Sequence, residues 1–359
     1  MSDQRMSQKD ARGDAARLLH AAARERLKVV MTDLFLPAHL RLSEWQRTAM
    51  SALLERLVQS VEEELRAGLD RHFPPQTHAE VHQALAGDPG PVAQSILEDT
   101  AALRDPVLVA LLLRRVEEHR LRRNNGHSTP AAPEGLFGEL VHDADEATGE
   151  AAMAVLIAQS RRLDRFHEPL LPSHELPAEV QFRLVWSIAA ALRTYLVERH
   201  AVVPDVADDA LAAAANQCLS VHDEGESLEA RCLRLVSVLD ERGRLDGPFL
   251  VRALPEGGLT LLLAALSLRC ALLPDAVWEL AFEPLGRGLP LLLRVAGLQR
   301  AEVGEILVAI HGNAGADDDA QLVRQLDLFD STSLEEARRT LRFWRTDPLY
   351  RTAAEAPVP

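Results

Sequence analysis

The residues best suited to chemistry are histidines with carboxylates close by. His72, His78, Glu80 and His82 lie near one another in the chain, and on a helix His78 and His82, four apart, share a face, the spacing at which two imidazoles can hold zinc. The order His-x-Glu-x-His differs from the His-Glu-x-x-His arrangement that sets a carboxylate beside a zinc-bound water, and it turns Glu80 away from both rings. A solvated helix face is the plainer reading. His142, Asp143, Asp145 and Glu146 form a second group where a helix opens, and negative charge there complements the helix dipole. Capping accounts for these carboxylates, although phosphotransfer through His142 would need only one exposed histidine on a helical body. Cys218, Cys232 and Cys270 sit inside apolar helical patterns with no CxxC pair, which fits packed thiols rather than metal ligands. The sequence holds no GxxxxGK[ST], no GxGxxG between strand and helix and no GxSxG, so phosphate cradles and serine nucleophile elbows are missing. Asp208-Asp209 and Asp317-Asp318-Asp319 fall at helix starts or in a loop, without the spacing of a calcium loop. No residue anchors an enzyme reading, so no catalytic, cofactor-binding or metal-ligating residue is assigned.

Two basic clusters interrupt an otherwise acidic chain. Arg114, Arg115, Arg120, Arg122 and Arg123 gather at the end of one helical pattern, where a helix C-terminus favours positive charge. Arg338, Arg339, Arg342 and Arg345 surround Phe343 and Trp344. Arginine beside tryptophan is the composition of interface anchors, so these six residues are the candidate partner-binding set. Docking of the last helix onto its own domain and contact with nucleic acid are the competing readings. With 39 basic against 54 acidic residues and a formal charge of -15, general binding to nucleic acid or anionic membrane is disfavoured.

The elements that must carry these residues are helices. Apolar residues make up 47% of the 359 positions and aromatic ones only 4%, with Leu and Ala, both good helix formers, dominating. Gly258-Leu259-Thr260-Leu261-Leu262-Leu263 returns thirty positions later as Gly288-Leu289-Pro290-Leu291-Leu292-Leu293, and each copy leads after a short break into a second amphipathic helix, around 275–282 and 301–310. That period signals a stacked helical hairpin, whose units bury their apolar faces only against neighbours and present broad surfaces. A fainter echo sixty positions apart pairs Ile96, Leu97 and Leu103 with Leu156, Ile157 and Leu163.

Ser43 with Gln46 reads as a capping box opening a helix to about His72, with Leu53, Leu54, Leu57, Val61 and Leu65 as its stripe. Helices follow at 78–85, 92–100 and 106–119, then from Gly135. The longest pattern, 177–200, carries Phe182, Val185, Trp186, Ala189, Leu192 and Leu196 at helical spacing. Two more run near 205–221 and 227–242, before the repeats, and a final helix covers 334–344. Turn-forming residues concentrate at Asn124 to Pro133. The chain therefore divides into an unstructured N-terminus at 1–14, an N-terminal helical domain at 15–123, a linker at 124–134, a C-terminal helical repeat domain at 135–346 and an unstructured tail at 347–359. The longest apolar run, Leu259 to Leu273, carries Arg269 and is shorter than the ~20 residues of a spanning helix. A polar start and an odd number of thiols point to the cytoplasm.

Ala151 to Leu156, Leu176-Pro177-Ala178-Glu179 with Arg183 to Trp186 and Ala191-Leu192-Arg193, and Gly243 to Leu266 together resemble the bacterial family known as domain of unknown function 2336, an alphaproteobacterial group. The resemblance spans roughly Ser43 to Ile310 and implies an all-helical, HEAT-like cytoplasmic protein, with no established activity, cofactor or catalytic residues to carry over. This chain departs from the family's pattern at Arg252-Ala253-Leu254-Pro255-Glu256-Gly257-Gly258, where leucines follow in place of aromatic residues. The expectation is an all-α fold of stacked helical hairpins in a HEAT-like repeat array with no significant β-sheet. Functionally, it is a non-catalytic scaffold or adaptor that binds an unidentified protein partner in bacterial regulation, without cofactor, nucleic acid or membrane, and with self-association open. The alternatives are a phosphotransfer or metal-dependent enzyme using His142 or His78 and His82, and a small apolar ligand held between the leucine-rich helices.

Overall fold

Ser43 and Gln46 open the first described helix as their spacing requires. The Gln46 amide donates to Ser43 Oγ at 3.1 Å and the Ser43 amide to Gln46 Oε1 at 2.7 Å, so two orphan donors of the first turn are satisfied reciprocally. The computed structural model describes residues 41–76, 78–86, 92–97, 101–124, 135–256, 258–311 and 316–355. The fold is all-α. Among the described residues the only β feature is an isolated antiparallel bridge between Leu163 and Pro169. The helices are α1 (Glu44–Leu69), α2 (Ala79–Ala86), α3 (Val92–Leu97), α4 (Pro106–Asn124), α5 (Leu136–Val141), α6 (Glu146–Ser160), α7 (Ala178–His200) and α8 (Pro204–Ser220). After them come α9 (Leu228–Glu241), α10 (Gly247–Ala253), α11 (Leu259–Cys270), α12 (Pro274–Ala281), α13 (Gly288–Val295), α14 (Arg300–His311), α15 (Ala316–Ser331), α16 (Leu334–Leu341) and α17 (Pro348–Glu355).

The apolar core does not divide at 124–134. One cluster joins Leu53 to Val116 with Leu171 to Cys218, and the other joins Leu121 to Ala158 with Leu228 to Leu341. The chain passes from the first core to the second, back to the first, and again to the second. Residues 48–359 form one compact unit. The physical reason lies in α7. Its buried side chains, Val180, Leu184, Val185, Ile188, Leu192 and Leu196, find their apolar complement on the N-terminal helices and on α8, not on the leucine-rich helices that follow. Phe182, placed in the α7 stripe by its spacing, is 55% exposed, because the buried face turns through Gln181 and Leu184 instead. α4 runs through both cores: Val116 belongs to the first and Leu121 to the second.

The thirty-residue echo has a structural basis in its glycines. A Cβ on Gly258 would lie 2.5 Å from the Ala253 carbonyl oxygen, and one on Gly288 would overlap the carbonyl of Leu280. Each leucine helix thus starts jammed against the backbone of the segment before it, an approach only glycine permits. Both copies also end alike. After α11, Ala271 has φ 52° and Leu272 N–H reaches back to Ser267 O at 3.1 Å; after α13, Gly297 has φ 80° and Leu298 N–H reaches Leu293 O at 3.3 Å. This left-handed cap with its six-to-one bond also closes α9 at Gly243, where Arg244 N–H reaches Leu239 O, while α7 ends on a left-handed Ala201 whose own N–H and that of Val202 both reach Leu196 O. α11 packs on α13 with α12 between them, whereas α14 turns to α10 and α15. The sixty-residue echo fails to superpose in burial. Leu97 is buried and Ile96 exposed, while its counterpart Ile157 is exposed and Leu156 half-buried, so the two segments show opposite faces.

The sequence pattern gave no helix at 316–331, yet α15 occupies it. Its inner stripe is Leu322, Gln325, Leu326 and Phe329, and the buried glutamine conceals the periodicity. Gln325 Nε2 donates to Gly286 O at 2.8 Å and its Oε1 meets His311 Nε2 at 2.7 Å. The expected final helix, 334–344, ends at Leu341 and continues as a 3-10 turn, Phe343–Arg345. The expected unstructured tail contains α17, whose Arg351 is buried over the Trp344 ring at 4.3 Å. Residues 1–40 and 125–134, which hold the expected N-terminal start and nearly all of the expected linker, lie outside the described residues. No single helix among the described residues is long and apolar enough to cross a membrane; α11 and α12 reach that length only together, bent by 111°.

Three helices are capped from a distance. Glu256 accepts from Leu136 N–H at 2.7 Å and Phe137 N–H at 3.4 Å at the start of α5. Glu62 accepts from Ala93 N–H at 2.8 Å at the start of α3, and Glu224 from Ala178 N–H at 2.6 Å at the start of α7. Neither Gly135 nor Pro177 offers a side-chain cap of its own, so carboxylates from elsewhere satisfy the orphan amides and complement the dipole.

Candidate functional site

The stretch of α4 between its two cores places Arg115, Glu118, His119 and Arg122 in the seam, against the end of α6, the 3-10 turn Ser173–Glu175 and the start of α9. Arg162, just after α6, is buried with three carboxylates around it. Its Nε donates to Glu175 Oε1 at 2.8 Å, Nη1 to Glu118 Oε2 at 3.2 Å and Nη2 to Glu229 Oε2 at 2.5 Å. Arg115 closes the ring, donating to Glu118 Oε2 at 2.5 Å and to Glu175 Oε2 at 2.7 Å. Burial works against charge on Arg162, but the three carboxylates more than offset it, so its pKa stands well above the usual arginine value. Burial likewise pushes the Glu229 carboxyl up, and Arg162 and Arg115 overcome that and bring it down to about 2. Pairing of this kind is what lets buried charges such as Arg162 and Glu229 persist. Beside it, Arg114 reaches Asp275 at 2.7 Å and lies 5.1 Å over the Trp278 ring.

A cavity of about 60 Å³ opens on this network, lined by Arg115, Glu118, His119, Arg122, Gln159 and Arg162 on one side and by Leu121, Leu259, Ala309 and Ile310 on the other. Of these lining residues, Arg115 Nε, Arg122 Nε, His119 Nδ1 and Glu118 Oε1 are buried without a hydrogen-bond partner. Burial lowers the pKa of His119, and Arg122, Arg123 and Arg56 act in the same direction against Glu168. Burial also lowers that of Arg122, with Glu118 opposing. A larger pocket of about 270 Å³ adjoins, sharing Arg122, Gln159 and Leu163 and adding Ser160, Asp164 and His167.

The sites picked from sequence fall elsewhere. His78 packs edge-on against Phe73 with ring centroids 5.4 Å apart, while His82 Nδ1 lies 2.7 Å from Asp70 Oδ1, so the two rings face different partners. His142 is exposed at the end of α5, its Nδ1 2.9 Å from Gly138 O. Asp145 caps α6 by accepting from Thr148 N–H at 3.1 Å and pairs with Arg242 at 2.5 Å; Asp143 pairs with Arg244 at 2.7 Å. The Thr148 and Arg242 bonds hold the Asp145 carboxyl below its ordinary pKa, and the Arg244 bond does the same for Asp143. Among the described residues no three His, Cys, Asp or Glu side chains converge on a metal position. Burial pushes the Cys218 and Cys270 thiols up to about 12 and Cys232 higher still. Of the terminal set, Arg338, Arg339, Arg342 and Phe343 are exposed, Trp344 packs half-buried on the second core under Arg351, and Arg345 donates to Cys270 O at 3.1 Å.

Residues 139–342, more than half of the chain, match the model of a family described as "uncharacterised protein conserved in bacteria", DUF2336. The chain belongs to this family. Searches of curated proteins and of solved structures returned no match. Within the DUF2336 segment lie Arg162, Glu175 and Glu229, whereas Arg115, Glu118, His119 and Arg122 come from α4, ahead of it. The seam is therefore completed by residues outside the matched segment. Arg115 and Arg122 carried a visible signal as members of a basic cluster. Glu118, Arg162, Glu175 and Glu229 carried none, because an isolated charged residue at the edge of a helical pattern reads as solvent-facing.

Proposed function

We propose that this DUF2336 protein is a non-catalytic helical-repeat scaffold that binds an acidic protein partner in bacterial regulation, acting in the cytoplasm. The observation that carries this reading is the terminal surface. Arg338, Arg339 and Arg342 are exposed and make no ion pair among the described residues, whereas Arg242, Arg244, Arg252 and Arg300 each hold a carboxylate. Three unpaired guanidinium groups beside Phe343, itself 39% exposed, form a cationic surface with an aromatic side chain on a chain of formal charge -15. Such a surface favours an acidic partner through charge complementarity, which sets on-rate and specificity. Trp344 and Arg345 are engaged by their own domain, so the proposed contact set narrows to Arg338, Arg339, Arg342 and Phe343. The paired starts and matching ends of α11 and α13 support the HEAT-like reading of the body behind this surface.

The test is affinity capture from the native host with the intact chain beside an Arg338→Glu/Arg339→Glu/Arg342→Glu variant, read by mass spectrometry and followed by direct binding to the purified partner. Charge reversal suits this surface better than truncation before Leu334, which would strip buried Leu341 and Trp344 from the second core. Loss of one specific acidic protein in the variant is the expected result. A partner retained equally by both would move the interface elsewhere, and capture of none would sink the scaffold reading.

A further inference from the structure

We propose that the seam cavity binds a small oxyanion, of carboxylate or phosphate size, against Arg122, His119 and Arg115. The proposal stands apart from the scaffold reading and would survive its failure. The charge of the walls points to an anion through Arg122: Arg115 and Arg162 are matched by Glu118, Glu175 and Glu229, whereas Arg122 makes no ion pair among the described residues. Glu175 and Glu229 stand outside the lining and are spent on Arg162 and Arg115.

The hydrogen-bond inventory points the same way. The buried unpaired atoms are three nitrogens, Arg115 Nε, Arg122 Nε and His119 Nδ1, against one oxygen, Glu118 Oε1. A buried donor without an acceptor is costly, and an arginine Nε can only donate. An oxyanion brings several acceptor lone pairs on adjacent atoms, which matches clustered donors, and an O–H on it would serve Glu118 Oε1. Arginine binds carboxylate and phosphate through charge-assisted bonds of this kind, and Arg122 is the one cation of the lining without an ion pair among the described residues; burial lowers the His119 pKa and so favours its neutral form.

Size limits the occupant. The volume of about 60 Å³ exceeds the roughly 10–15 Å³ needed for one water and falls short of the roughly 150 Å³ of a cavity that takes benzene. An ion of about four or five non-hydrogen atoms, such as acetate or inorganic phosphate, fits that interval. The adjoining pocket shares Arg122, Gln159 and Leu163 with the cavity and supplies the way in, with room for the remainder of a larger anionic molecule. Because α4 belongs to both cores, an ion seated here would brace the seam between them.

Isothermal titration of the full chain with inorganic phosphate and, separately, acetate at low ionic strength, with chloride as control, tests the site. One-to-one saturable binding of at least one ion is expected, weakened at least about tenfold in Arg122→Gln with little change in melting temperature, because Arg122 makes no ion pair among the described residues. Ala309→Leu, which fills the cavity from the apolar wall without touching a charge, should abolish binding and serves if Arg122→Gln does not fold. Neither ion binding, or binding that survives both substitutions, overturns the proposal.

Discussion

Replacing Arg162 with methionine, close in volume and uncharged, should be among the most damaging single changes in this chain. The guanidinium is 5% exposed and bonded to Glu118, Glu175 and Glu229; without it, Glu118 and Glu175 keep only Arg115, and Glu229 keeps no bonded cation. Removing one partner of a buried ion pair typically costs about 3–5 kcal/mol, because the charge left behind is uncompensated. At roughly 2 °C per kcal/mol for a protein of this size, the melting midpoint should fall by about 6–10 °C. The pH dependence provides the sharper check. In the native chain, the depressed Glu229 pKa of about 2 means that its contribution is present above the unfolded carboxylate value and is lost only as pH falls through that value toward about 2. In Arg162→Met one cation is left for Glu118 and Glu175 and none is bonded to Glu229, so burial pushes the carboxyl pKa values up and proton uptake relieves the excess negative charge as pH falls. The stability difference between wild type and variant should accordingly be smaller at pH 5 than at pH 7. Urea denaturation of both proteins at the two pH values measures this. A loss below about 1 kcal/mol at pH 7, the size expected of surface pairs, or a difference that does not change with pH, would refute the account of the seam as a mutually dependent charge network.

Gly288→Ala should cost about 1–3 kcal/mol, since its Cβ overlaps the Leu280 carbonyl, whereas Gly304→Ala, in open space on α14, should gain roughly 0.5–1 kcal/mol from helix propensity; urea midpoints separate the two. Glu256→Ala should cost about 1 kcal/mol through loss of the α5 cap, with amide exchange at 136–141 accelerating before that of α9. Cys218, Cys232 and Cys270, all buried with raised thiol pKa values, should resist a disulfide reagent at pH 8 in the native protein and react fully in denaturant, because the thiolate is the attacking species.

Helix positions were legible wherever one face is apolar. The α1 stripe of Leu53, Leu57, Val61 and Leu65 and the Ser43/Gln46 box could be read directly, because propensity, capping and burial agree there. Legibility failed where a polar residue is buried by tertiary pairing. Gln325 masked α15, and Arg162 with its three glutamates masked the seam, since periodicity assigns polar residues to solvent and pairing partners up to 67 positions apart leave no local trace. The alternation of cores was invisible for a related reason: apolar stripes on α7 and on α11 look alike, and only shape and register decide which surface each covers. Trp344 could be identified as an anchor, but not as one already occupied by Arg351 of the following helix.

The interleaving of the two cores also sets a problem for synthesis. Leu53 to Val116 cannot bury their apolar faces until Leu171 to Cys218 arrive, and Leu121 to Ala158 wait for Leu228 to Leu341. At roughly 5–20 residues per second, the first half-core stands open for about 5–20 s while the second is already emerging beside it. The nascent chain therefore displays two unfinished leucine-rich surfaces at once, each able to cover the other wrongly. The nascent chain should for that reason depend on chaperones that occupy such surfaces until α7 and α8 have left the ribosome.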